Sequence, residues 1–387
     1  MSASSKAKAG NVDLGTIVKG FEGAYEQAVR DLGRFNLVIF GETGVGKSTL
    51  VNAIFGKDVA EAGAGRPVTK STDYYEHPSG VLGIYDTKGI ETGRSEEQIL
   101  TDLRGIIASK RSLPLEHQIH AIWYSLNANK LRWEASQARF IRELSEENIP
   151  ILLVLTQVRR KSDGSINPEV TKVIEAIRQD DLPLRPQNRV FPTMAQDDEW
   201  DDARAHGLQE LLDATFQVAP EGVQNALNAA QRIDLPRKAA QARSYVQAAA
   251  AAAAIAGASP IPFSDAGILV PIQTGMMAKV AAIFGLGLRK GTLATLAGAA
   301  FTAGGVTQLG KYVVTSLLKF VPVAGTMAGG VIRAGVASSL TYAIGEAWIA
   351  VCTQLHRMGP EAAANVPTDE IRELFMTEFK KSARKSR

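Results

Sequence analysis

Apolar positions along this chain follow two rhythms, and the change between them falls near residue 235. In the first half, short apolar runs alternate with stretches whose apolar residues return every three or four positions. FNLVIF (35–40) reads as a buried strand, and the glycine-rich turn after it opens a helix through about Phe55. TDYYEH and VLGIYD predict a hairpin pair ending at Asp86. IHAIWYSL (119–126) and ILLVLT (151–156) are further β-rich runs, each preceded by a helix-compatible segment, and VFPTMA (190–195) is the last strand before the helical GLQELLDAT. Strands alternating with helices over about 200 residues predict an α/β, doubly wound, mostly parallel sheet, whose ligands sit at the carboxyl ends of the strands.

The second half has a different texture. Residues 244–264 carry no charge, run through seven consecutive alanines and end in SPIPFS; 291–310, GTLATLAGAAFTAGGVTQLG, is uncharged as well. Small residues at spacings of three and four let helices approach closely, so an all-α, Ala/Gly-rich helical domain is expected here. The divisions are a disordered leader over 1–13, the α/β domain over 14–218, a linker helix over 219–243, the hydrophobic helical domain over 244–357, and a polar helix with basic tail over 358–387. Composition supports folded domains: 45% of the 387 residues are hydrophobic and 21% charged. The net charge of +3 does not call for nucleic acid, and the basic KKSARKSR end lacks interleaved aromatics, so no nucleic-acid partner is expected. Cys352 is the single cysteine, which excludes an intramolecular disulfide framework and suits a reducing compartment. MSASSKAKAG lacks the apolar core of a secretory signal, so a cytoplasmic location is expected.

GETGVGKS, Gly41 to Ser48, fits G-x-x-x-x-G-K-[ST] between a predicted strand and a predicted helix. Gly41, Gly44 and Gly46 allow backbone approaches that a Cβ would block, so the N–H groups of Glu42, Thr43, Val45 and their neighbours can face phosphate oxygens. Lys47 supplies a point charge between β- and γ-phosphates, Ser48 a hydroxyl for Mg²⁺, and the helix opening through Thr49 favours the anion. DTKG (Asp86–Gly89) follows a strand about forty residues downstream. Between the two motifs, GRPVTKST offers Thr69, with Thr72 as the fallback.

GETGVGKSTLVNAIFG, PVT, DTKG and the strand-end TQVR resemble the Era-like GTPases of the translation-factor-related class over roughly residues 30–218. SPIPFSDAGILVPIQTGMMAKVAAIFGL and LLKFVPVAGTMAGGVIRAGVASSLTYAIGEAW are similar to the YcjF-like hydrophobic domain that follows such a module in one group of bacterial GTPases. The resemblance implies GTP and GDP as ligands with Mg²⁺. It implies Asp86 and Thr69 as metal-site residues beside Ser48, the Gly89 N–H as sensor of the γ-phosphate, and Lys47, Thr69 and Gly89 as the catalytic set. Thr156, Gln157 and Arg159 occupy the base-recognition position.

Two departures stand out. Such GTPases present T/N-K-x-D, whose Asp accepts from the guanine edge, whereas Arg159 is a donor; Asp163 is a nearby acid, and ATP stays open as a ligand. Where small GTPases place a water-orienting Gln after the DxxG glycine, this chain has Ile90, so intrinsic hydrolysis is expected to be slow. A remedy can come from another switch residue (Lys88, Arg66 and Arg94 are cationic candidates), from a nucleotide-dependent dimer, or from a partner.

For 244–350 the readings are bilayer insertion and a compact bundle packed through small residues. Two uncharged runs reach the spanning length of about 20 residues, yet Pro260 and Pro262 interrupt the first, and Asp265, Lys279 and Glu346 lie among the apolar stretches. The expectation is a bundle that associates with the cytoplasmic face of the inner membrane, aided by Arg289, Lys290 and the basic tail. The function expected is a switch in which slow GTP hydrolysis times membrane or partner association. A nucleotide-dependent scaffold, a dynamin-like or immunity-GTPase-like membrane-remodelling machine and a ribosome-associated GTPase are the rivals.

Overall fold

The computed structural model describes residues 14–56, 66–67, 72–87, 96–161, 163–198, 203–258, 265–286, 297–298 and 329–385. The chain divides into two compact units, one of residues 32–234 and the other of residues 1–31 with 235–387.

In the first unit, β1 (Phe35–Phe40) is buried at every position: FNLVIF is apolar apart from Asn36, whose amide donates to the Glu116 and Gln118 carbonyls at 2.9 and 2.7 Å. It is paired in parallel with β4 (Leu82–Thr87) on one side and β5 (Ala121–Asn127) on the other; β6 (Ile151–Thr156) and β7 (Val190–Pro192) continue the parallel series. The short β2 (Arg66–Pro67) and β3 (Thr72–Glu76) pair antiparallel at the far edge, giving the order β2-β3-β4-β1-β5-β6-β7. The predicted sheet and hairpin are both present. Helices α3 (Glu96–Arg111), α4 (Ala135–Ser145) and α5 (Pro168–Gln179) bury Ile99, Leu103, Phe140, Ile141, Ile174 and Ile177 against the sheet, with Phe40 and Phe140 stacked at 4.6 Å. Elsewhere Phe55, in α2 (Lys47–Phe55), stacks on Trp123 of β5 at 5.8 Å, and the Trp123 indole donates to Thr215 in α6 (Leu208–Val218) at 3.1 Å.

The region expected to form one linker helix over 219–243 is two elements. Helix α7 (Glu221–Ala230) buries Val223, Ala226 and Leu227 within the first unit, and α8 (Leu235–Gly257) begins the second. Residues 231–234 break the helix, where Gln231 binds back to the Asp234 backbone: its Oε1 accepts from the Asp234 N–H at 2.7 Å and its Nε2 donates to the Asp234 carbonyl at 2.9 Å.

The second unit also claims α1 (Leu14–Leu32), although residues 14–218 are expected to form the nucleotide-binding domain. Ile17, Phe21, Tyr25 and Ala28 recur at helical spacing and are buried; Phe21 meets Trp348 edge-on at 6.4 Å, and the Tyr25 hydroxyl donates to the Leu286 carbonyl at 2.9 Å. Burial pushes the Tyr25 phenol up to about 12. The poly-alanine helix α8 buries one stripe, Ala242, Val246, Ala250, Ala253 and Gly257, while Ile255 on another face is 77% exposed. Opposite lies α10 (Gly329–Met358), which approaches so closely at Gly345 that an added Cβ would come within 3.0 Å of two Val246 methyls. Between them, α9 (Asp265–Ile283) ends in carbonyls served by side chains from other helices. Lys238 Nζ donates to Ile283 O, and His356 Nδ1 lies on Phe284 O, each at 2.9 Å. After the short α11 (Pro360–Ala364), α12 (Thr368–Lys385) folds back and buries Ile371, Phe375 and Phe379, so the polar C-terminal segment belongs to the bundle.

Most of the second uncharged run, 291–310, lies outside the described residues. Among the described residues one segment, Ala334–Met358, is long and apolar enough to cross a membrane, and 61% of its most apolar window is buried inside the fold, as in a core helix.

Candidate functional site

The loop between β1 and α2 is positioned by its own glycines. Gly41 lies against β5, where a Cβ would fall within 3.0 Å of the Ser125 carbonyl oxygen, and Gly46 caps α2 in the left-handed region at φ 96°. Val45 is buried and anchors the loop, whereas Thr43 and Gly44 are exposed at its crest and Thr49 is half-buried in the first turn of α2. Lys47 curls over the loop and donates to the carbonyls of Gly41 at 2.9 Å and Glu42 at 3.1 Å. Its ammonium therefore stands over the turn that the helix N-terminus makes favourable for anions.

Lys47 and Ser48 line a small cleft of about 30 Å³ together with Val51, Asp86 at the end of β4, and Tyr75 of the neighbouring β3. The sequence motifs, 38 positions apart from Ser48 to Asp86, thus meet at one point, because β1 and β4 are adjacent and parallel and end on the same side. Burial raises the Tyr75 phenol, and Asp86 and Asp73 raise it further, which places that hydroxyl in the field of the Asp86 carboxylate. Ser48 and Asp86 bring a hydroxyl and a carboxylate, hard oxygen donors of the kind Mg²⁺ accepts alongside phosphate and water. Among the described residues no group of three or more His, Cys, Asp or Glu side chains forms a metal cluster. Thr69 and Gly89, with Lys88, Ile90 and Arg94, lie outside the described residues. Thr72, the fallback threonine, is fully buried in β3 opposite Thr87, where it serves the sheet.

The other end of the loop is tied to β6. Thr156 Oγ1 lies 2.5 Å from the Val45 carbonyl and 3.0 Å from that of Leu126, so its one proton links the loop to the strand ends. Gln157 adopts φ 59°, and its amide donates to Gly44 O at 3.3 Å while its carbonyl accepts from Asn129 at 3.1 Å. Lys130 forms an ion pair with Glu42. Asn129 and Lys130, on the turn after β5, were not singled out by any motif; only their place at the carboxyl end of a predicted strand pointed to them. Arg159 turns away from Gln157 to pair with Asp198 at 3.3 Å, in the loop after β7. Asp163 is exposed, and the Ser165 hydroxyl, together with the Ser165 N–H from which it accepts at 2.8 Å, holds its carboxyl below the usual range.

Comparison with known proteins agrees with this geometry. Residues 36–157 match the family described as 50S ribosome-binding GTPase, a span that runs from β1 through the loop, Asp86 and Thr156. The first unit carries an Era-like GTPase domain. Residues 223–377 match a domain of unknown function, DUF697, consistent with the YcjF-like resemblance. The GTPase Era of Buchnera aphidicola, in two strains of subspecies Acyrthosiphon pisum, is 22% identical over 139 residues, 34% of this chain and 44% of the relative. The chain thus spans under half the length of the curated relatives it matches. Similar solved structures include an Aquifex aeolicus Era variant bound to GDP·AlF4⁻ (19% identity, 60% of this chain and 70% of that one, TM-score 0.32). Toc33 from Arabidopsis thaliana is another, at 16% identity, 55% and 91% coverage, and TM-score 0.33. The GTPase-family match stops at Gln157, two residues short of Arg159, where the chain departs from the expected base-recognition motif.

Proposed function

We propose that this chain binds GTP and hydrolyses it slowly to GDP, and that the helical unit is the output of that cycle. The observation that carries the reading is the convergence of Lys47, Ser48 and Asp86 on one cleft at the carboxyl ends of β1 and β4. Glycine N–H groups and the N-terminus of α2 cradle the β- and γ-phosphates, Lys47 exchanges its two carbonyl partners for phosphate oxygens, and Thr156 holds the loop in register. Mg²⁺ held by Ser48, Asp86 and Thr69 would neutralise phosphate charge as the γ-group leaves. Thr69 and the Gly89 N–H report the γ-phosphate, and their release on hydrolysis is the switching event. Ile90 cannot orient water, so turnover is slow unless another chain supplies a polar group. The Ala/Gly-rich helical unit then engages an anionic membrane surface or a partner from the cytoplasmic side.

The test is a nucleotide-affinity panel (GTP, GDP and ATP with Mg²⁺) on the full chain, with Lys47→Ala as control. Preference for guanine nucleotides, lost in Lys47→Ala, is expected; equal or tighter ATP binding sinks the guanine assignment. Cosedimentation with anionic vesicles under GTP and GDP tests the output, and nucleotide-independent absence of binding removes the membrane role.

A further inference from the structure

The cleft formed by Lys47, Ser48 and Asp86 lies on the β4 side of β1. A nucleotide whose phosphates sit there can extend its base over the other end of the loop, where Gln157 bonds to Gly44 O and to Asn129 at the carboxyl ends of β6 and β5. Guanine presents two donors, N1–H and the N2 amine, which a single carboxylate can accept together. The strand-end position in β6 holds Arg159 instead of an acid, so the carboxylate must come from elsewhere.

Three acids lie on these two loops among the described residues. Asp163 is committed to its own turn through the Ser165 N–H. Asp197 accepts from the Ala205 N–H at 2.8 Å and from Arg204 at 3.2 Å, both within the loop after β7. Asp198 instead faces the end of β6, where Arg159 reaches it at 3.3 Å, and its side chain is only 23% exposed. Its backbone is fixed by reciprocal bonds with Ala203 at 2.7 and 3.1 Å. The loop is bolted to β6 by Thr193 N–H on Leu155 O (2.7 Å), Val158 N–H on Thr193 O (3.0 Å) and the His206 ring on Val158 O (2.7 Å). The pair therefore sits on a fixed backbone, and between partly exposed groups at 3.3 Å its carboxylate can be shared with a ligand while Arg159 stays beside it.

We propose that Asp198, carried to the end of β6 by the loop after β7 and held there by Arg159, is the carboxylate that reads the N1–H and N2 amine of guanine. This rests on the nucleotide reading of the site given above. Arg159 is then a positioning residue, and the departure at TQVR is a relay: the acid has moved to a second loop and the arginine keeps it in place.

The experiment compares affinities of the full chain for GTP, XTP, ITP and ATP with Mg²⁺, for the wild type, Asp198→Asn, Asp163→Asn and Arg159→Gln. Xanthine carries a carbonyl where guanine carries its amine, so an Asn amide at 198 can donate to it while its carbonyl still accepts from N1–H. The expected result is at least a tenfold loss of GTP affinity in Asp198→Asn with a gain for XTP, no change in Asp163→Asn, and a few-fold loss with unchanged order in Arg159→Gln. Wild-type protein should also bind ITP, which lacks the amine, about tenfold more weakly than GTP. An unaltered GTP-to-XTP ratio in folded Asp198→Asn overturns the proposal. Should that variant not fold, equal wild-type affinity for GTP and ITP overturns it instead. A wild type that does not prefer GTP to ATP is a separate result, the failure of the guanine assignment itself.

Discussion

Replacing Gly41 by alanine would place a Cβ within 3.0 Å of the Ser125 carbonyl oxygen, 3.3 Å from its carbon and 3.2 Å from a Val45 methyl. Two of these three atoms are backbone of β5, locked between β1 and β6, so the loop rather than the strand has to move. Overpacking of this kind costs about 1–3 kcal/mol. Holding a non-glycine residue at φ 149° adds backbone strain of about 1–2 kcal/mol. Gly44→Ala is the matched control: at φ 79° it pays the backbone term, but nothing lies within 4 Å of its Cβ. The difference between the two variants isolates the contact, about 1–3 kcal/mol, or about 5- to 150-fold in an opening constant. Amide hydrogen exchange in the full chain reads it directly, through β1 and β5 peptides (35–40 and 121–127), without requiring the two units to unfold together. Exchange in Gly41→Ala should be faster than in Gly44→Ala by at least fivefold. Equal rates would mean that the close approach to Ser125 does not hold the loop, and the account of its geometry would fall.

Lys238 is fully buried and donates to the Ile283 carbonyl at the end of α9; Lys238→Met keeps the volume and loses the donor, at about 1–3 kcal/mol in thermal unfolding of the helical unit. Lys238→Ala should cost more, and indistinguishable melts would refute that role. Gly345→Ala forces α8 and α10 apart at Val246, so a loss of about 1–3 kcal/mol is expected, relieved by pairing it with Val246→Ala. Burial holds the His120 pKa low, and its Nδ1 accepts from the Asn36 N–H at 2.8 Å, which leaves no room for a second proton, while its Nε2 donates to Leu115 O. A depressed histidine pKa means that the unfolded chain takes up the proton first. Stability is therefore full above the unfolded value of about 6.5 and falls as pH drops below it. Melting of the GTPase unit should weaken from about pH 7.5 to about 5.5, with a shallower slope in His120→Gln; identical slopes would contradict the assignment.

The chemistry of the phosphate end was legible because it is local. GETGVGKS fixes its backbone through its own glycines, and Asp86 meets Ser48 because a buried apolar run and a hairpin leave little choice of neighbour in a parallel sheet. FNLVIF, VLGIYD and ILLVLT are apolar on both faces but for Asn36 and strand-end residues such as Asp86, so their burial was determined as well. The base end was not legible in the same way: Arg159 finds Asp198 across 39 positions, and Asn129 finds Gln157 across 28, by loops whose paths no periodicity records. The same holds for α1. Its buried stripe of Ile17, Phe21 and Tyr25 is recognised from the structure, and the expected domain bounds of 14–218 group it with the nucleotide-binding segment instead. What decided the matter was the set of buried partners, Trp348 and the Leu286 carbonyl, more than 250 residues away. For the alanine-rich helices, composition permitted a bilayer or a bundle alike, since small side chains carry little transfer energy in either direction. Only the tertiary structure showed α8 burying a single stripe against α10. Sequence thus determined the elements and the chemistry of contiguous motifs, and the packing of distant surfaces decided which elements share a core, because that choice depends on complementarity between faces that no single segment contains.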